Sequence, residues 1–247
     1  MDAAAAGPGP SDLPSGLPSG RRPPDASPTA AAAAAKPLLR GWLHLATFPV
    51  AVLAGVTLAV LATTTSAAAG LAVFTVCAGL LFGVSALYHR GTWPARSTAV
   101  LRRFDHANIF LLIAGTYTPF ALLLLRPPRQ QVLLGLVWGS AAVGVAFRVF
   151  WLHAPRWLYV PVYLLMAWGA AFFIPDFADR GGTAVVVLLA AGGAAYTAGA
   201  VVYGLKRPVL SPRVFGFHEV FHSLTVLGFT AHVVAIGLAA ARTGVLG

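Results

Sequence analysis

Charged side chains are what this sequence has least of: Asp, Glu, Lys and Arg make up 10% of its 247 residues, against roughly 25% in soluble globular domains. An ordinary water-soluble domain is thereby excluded. Acids are the scarcer sign, seven in all, and cysteine occurs once, as Cys77; a lone thiol forms no intrachain disulfide. The lysines are Lys36 and Lys206, neither in the middle of an apolar run, so no residue stands ready for a retinal-type Schiff base. No internal repeat is apparent. The opening 36 residues also lack the basic start, strongly apolar stretch and cleavage site of a signal peptide.

What abounds is apolar surface: 58% of residues are hydrophobic and the mean hydropathy is +0.78. Residues 1–36, rich in Ala, Pro, Gly and Ser, are too poor in large apolar side chains to order a core and read as a disordered cytoplasmic tail. Over 37–247, a single membrane domain, seven apolar runs follow: 41–64, 68–89, 104–125, 131–150, 157–175, 184–204 and 217–241. Each approaches or exceeds the roughly 20 residues that carry a helix across hydrocarbon. Their apolar character is continuous, not alternating, which predicts helices and not a barrel. The fold class is therefore all-α, a seven-transmembrane-helix bundle, with TWPARS, LRPPRQQ, PDFADRGG and LKRPVLSPR as connections. GLLFG at Gly79–Gly83 fits a small-xxx-small helix contact, and Pro119 is expected to kink the third helix.

The formal charge of +10 would suggest nucleic acid in a soluble protein, but here it sets orientation. Thirteen of the 17 basic residues fall on the side of the N-terminal tail, with Arg148 and Arg156 counted to one loop. That bias places the N-terminus in the cytoplasm and the C-terminus outside, in the plasma membrane, with no nucleic-acid partner.

Ionisable groups inside apolar segments cost at least a few kcal/mol each on insertion scales and so mark function. Of the acids, Asp105 and Glu219 alone touch these segments. His89 closes the second run, Asp105 and His106 open the third, and His218 and His222 open the seventh, so three distant segments deliver polar groups to one membrane depth. Ser85 and His89 are four residues apart, as are His218 and His222, which puts each pair on one helix face about 6 Å apart. Two imidazoles at that spacing plus one from another helix make a three-histidine zinc site with an open fourth position, at which a bound ion polarises water. Asp105 is the expected general base and Ser85 an expected hydrogen-bond partner of the water or ligand. His44 and His153 read as interfacial. His232, about 21 Å further along the helix than His218, reads as a separate polar or structural residue. HEVFH at 218–222 matches the H-E-x-x-H of zinc peptidases, yet it opens a membrane helix and the third ligand that would complete it lies far upstream. Glu219, about 100° around the helix from His218, is expected to orient the site or pair with an arginine.

The stretches SALYH at 85–89, RFDHANIFLLIAGTYTPF at 103–120 and HEVFHSLTVLGFTAH at 218–232 resemble the bacterial hemolysin III family. That family is related to the progestin and adipoQ receptors, including the adiponectin receptors, and more remotely to the alkaline ceramidases. The resemblance spans roughly residues 40–241. It implies seven helices with a zinc ion near the cytoplasmic surface, held by His89, His218 and His222, with Asp105 reaching it through water. A receptor-type N-terminal domain is missing, so hormone binding is not carried over.

Three functions follow as expectations. One is a zinc-dependent hydrolase of amide or ester bonds, with membrane lipids as substrate or ligand and lipid homeostasis as its role. Another is a receptor or sensor in which zinc is structural. The third, a pore-forming cytolysin, fits poorly, because such proteins pass through a soluble secreted form.

Overall fold

Each of the seven apolar runs folds as helix. The computed structural model describes residues 36–151 and 153–247, and of the expected 1–36 tail all but Lys36 lies outside them. The elements are α1 (Trp42–Leu61), α2 (Thr65–Arg90), α3 (Ala95–Leu124), α4 (Arg129–Phe150), α5 (Arg156–Trp168), a 3-10 segment (Gly169–Phe173), α6 (Ile174–Gly181), α7 (Thr183–Leu205) and α8 (Phe217–Arg242). Among the described residues, seven helical spans are long and apolar enough to cross a membrane, with α5, the 3-10 segment and α6 together making the fifth. Helix is the form in which a chain pairs its own backbone groups without water. Prolines precede α3, α4 and α5 as Pro94, Pro128 and Pro155, where a missing N–H leaves no helical bond unmade. Phe150, Trp157, Leu165 and Phe172 are largely exposed, on a surface suited to lipid.

The structure departs from the sequence reading in three places. PDFADRGG, expected as a connection, is mostly the helix α6. Pro175 sits in its first turn, Asp176 and Arg180 lie at the helix ends that favour their charges, and Gly182 at φ 80° stops it. The expected fifth run is correspondingly broken at Gly169–Phe173. Finally, α3 begins at Ala95, well ahead of 104, so that Asp105 lies inside the helix and not at its start. Pro119 lies within the same helix.

Packing centres on α3, the most buried of the spans, which touches α2, α4, α5, α6 and α8. GLLFG meets α1: a Cβ at Gly83 would stand 3.0 Å from the Phe48 ring, and one at Gly79 would stand 3.5 Å from Val52. First and last helices are stitched together at both ends. Just before α1, the amides of Leu38 and Leu39 donate to the carbonyls of Arg213 and Val214 at 2.9 and 3.3 Å. Past its far end, Thr63 donates to Val245 at 2.8 Å and Gly247 to Leu61 at 2.9 Å.

Candidate metal centre

Helix α2 ends on His89 and Arg90, and the buried face that carries Phe74, Ala78, Leu81 and Phe82 inward also carries Ser85 and His89. Helix α8 starts beside it. Its first turns hold His218 and His222, and the Glu219 carboxylate accepts the Gly216 amide at 2.8 Å, which ties down the helix start. One ligand nitrogen from each of His89, His218 and His222 lies within 4.8 Å of the others. His89 Nε2 and His218 Nε2 are 3.1 Å apart.

Asp105 approaches from α3, its Oδ2 3.8 Å from His89 Nε2, beyond hydrogen-bond reach and within reach through one water. Ser85 stands beside the Asp105 carboxylate, placed to donate a hydrogen bond to it. All five residues singled out in the sequence thus meet at one place. The donor set fits a transition-metal ion: three imidazoles, one carboxylate just outside, and an open side. Zinc, copper, nickel and iron all accept such a set.

Beneath these groups lies a cavity of about 180 Å³. Ser85, Asp105, His106, His218 and His222 form one end, and Leu112, Ile113, Phe177 and Leu189 line the remainder. Its wall includes Trp168, Ile174 and Ala190, all three exposed.

Other polar residues sort around the centre. Glu219, 1% exposed, forms an ion pair with Arg40, one of the two uses expected of it. Nε2 of His232 is 3.3 Å from the Leu189 carbonyl, at a close approach of α7, where a Cβ on Gly192 would stand 2.4 Å from its ring. His153 is exposed.

Two expectations fail. His44, read as interfacial, is buried and lies parallel to His222 with ring centroids 3.7 Å apart; one face of the first turn of α1 packs inward with it, while Trp42 and Leu45 stay exposed. Arg148, counted as a loop charge, is a buried residue of α4. It contacts His106 Nδ1 and lies 4.3 Å over the Tyr159 ring, an aromatic face and an imidazole taking the place of solvent. Neither residue has a sequence signal beyond being a polar group near the end of an apolar run.

The family model described as Haemolysin-III related matches residues 32–233, a stretch that includes all three quoted blocks and every residue of the centre. The chain belongs to this family.

Among haemolysin III relatives, it is similar to Hemolysin-3 of Bacillus cereus, 33% identical over 169 residues, covering 68% of this chain and 73% of that protein. A Hemolysin-3 homolog of Bacillus subtilis (strain 168) is 34% identical over 160 residues, covering 64% and 71%. The heptahelical transmembrane protein ADIPOR2 of Oryza sativa subsp. japonica is 29% identical over 180 residues, covering 66% and 79%. That last likeness supports the expected kinship with adipoQ receptors. With seven membrane-length helices, this haemolysin III chain is a multi-pass membrane protein.

Proposed function

We propose that the protein is a zinc-dependent hydrolase of amide or ester bonds in membrane lipids, acting in lipid homeostasis at the plasma membrane. The observation that carries this reading is a three-imidazole group with a carboxylate beside it, set at one end of a mainly apolar cavity. The basic residues that dominate one side of the bundle support a cytoplasmic N-terminus and a centre near the cytoplasmic face.

His89, His218 and His222 would hold the ion, which when bound supplies Lewis acidity and makes water more acidic. The protein's own groups do the rest. Asp105 takes the proton of the attacking water and returns it to the departing amine or alcohol as the C–N or C–O bond breaks. Ser85 fixes the orientation of that carboxylate. The apolar lining holds an acyl chain and keeps bulk water from the reacting carbonyl.

A structural-metal sensor is the competing reading, favoured by ligands that come from α2 and α8, helices a metal would clamp together. The deciding experiment offers a panel of lipid amides and esters to the zinc-loaded detergent-purified protein and follows products by mass spectrometry. Turnover abolished by Asp105→Asn, with zinc retained, supports hydrolysis. An inert protein, together with an unchanged lipid profile in a deletion strain, sinks it.

A further inference from the structure

Four imidazoles gather at the polar end of the cavity, and the metal reading uses three. The fourth is His44, in the first turn of α1 and 2% exposed. Its ring lies nearly parallel to that of His222, at 4°, and meets the Phe82 ring edge-on with centroids 5.0 Å apart. Neither Nδ1 nor Nε2 has a hydrogen-bond partner among the described residues. A neutral imidazole carries one N–H donor and one acceptor nitrogen, and a buried pair of such groups calls for a partner from outside the protein, a water, an ion or a ligand. Stacking does not explain the choice of residue. A phenylalanine would fill the space and stack on His222 without burying two polar atoms.

His44 lines the cavity together with Ser85, Asp105, His218 and His222. It is not one of the three residues whose ligand atoms converge, and its ring plane is displaced from that of His222 by the 3.7 Å stack. Standing outside the converging group, His44 is placed to serve a group held beside the ion. The χ2 torsion of histidine is broad, so the ring can tilt its edge toward an occupant while staying against His222.

We propose that His44 is a ligand-positioning residue of this site, whose ring N–H donates to an acyl oxygen at the polar end of a long-chain ligand lying in the cavity. The class of ligand rests on the hydrolase reading above. His44 would orient the acyl group, and Leu112, Ile113 and Leu189 would contact its chain.

The test uses the full chain purified in detergent, with radiolabelled dodecanoate as the probe and binding read by scintillation proximity. His44→Phe keeps the stack and removes both nitrogens, while His44→Gln restores an N–H donor. The Phe variant is expected to keep the wild-type metal content and melting temperature and to bind dodecanoate about tenfold more weakly, the scale of one hydrogen bond. The Gln variant recovers part of that loss. Wild-type affinity in His44→Phe overturns the proposal, as does loss of metal in that variant, which would make His44 a support for the ion. A wild-type chain that ignores dodecanoate overturns it too. Failure of the hydrolase reading shows separately, as a wild-type chain that binds dodecanoate yet turns over no lipid, and it leaves the comparison of variants to decide on His44.

Discussion

The Nε2 atoms of His89 and His218 stand 3.1 Å apart on helices whose contributing residues are 129 positions apart in sequence. Two nitrogens about 2.1 Å from one tetrahedral ion would be roughly 3.4 Å apart, so the pair is already close to ligand spacing. The fold pre-arranges these imidazoles, and an ion entering between them has little left to move.

Metal content follows directly. The wild-type chain is expected to carry about one transition-metal ion, measured by mass spectrometry of the purified protein, and His89→Ala, His218→Ala and His222→Ala each to lose it. Lowering the pH should release the ion, because protons compete for the nitrogens that bind it. Full metal occupancy in all three folded variants would remove the centre.

Asp105→Ala separates chemistry from architecture. Asp105 lies 3.8 Å from His89 Nε2 and outside the group of three, so the variant should keep its metal while lipid turnover drops by about 100-fold or more, the usual share of a general base. Unchanged turnover would assign the carboxylate a structural role.

The Arg40–Glu219 pair has unequal members, with side chains 20% and 1% exposed. Arg40→Ala strands a buried carboxylate and should cost up to about 3 kcal/mol, the lower end for a broken buried pair given Arg40's partial exposure. Glu219→Gln keeps an acceptor for the Gly216 amide and leaves a cation that water can reach, so it should cost less. Chemical denaturation in detergent ranks the two, and the reverse order would contradict this account.

Gly41 guards the centre from above. At φ 81°, its missing Cβ would stand 2.8 Å from His89 Cβ. Gly41→Ala should therefore cost roughly 1–2 kcal/mol of backbone strain and displace His89. A fall of about tenfold in metal affinity, read by competition with a chromophoric chelator, is the expected result; unchanged affinity would show that His89 yields freely.

Orientation is open to cysteine labelling, since Cys77 is buried. Val209→Cys, at an exposed position between α7 and α8, should react with membrane-impermeant reagent from the cytoplasmic side, and Gly244→Cys from the outer side. The opposite pattern would invert the proposed topology.

The spans were legible because hydrocarbon thickness imposes a length that composition reveals. His89, His218 and His222 were legible because ionisable groups in apolar runs are rare and their four-residue spacing fixes a shared helix face. His44 was not, since its meaning depends on the His222 ring in the last span. Arg148 misled for a related reason: a basic residue near a helix end reads as a loop charge until Tyr159 and His106 are seen against it. In α6, local cues in Pro175 and Gly182 were outweighed by the loop-like composition of PDFADRGG. No periodicity marks tertiary contacts of these kinds.

The hydrogen bonds that join the first helix to the last can form only once the last is made. A chain emerging into the bilayer presents Arg40, His44 and His89 early, but Glu219, His218 and His222 arrive only with the final span. Until then the early groups lack their partners. Metal uptake therefore reports completed insertion, and a chain halted before Gly216 would hold one histidine of the centre and no centre.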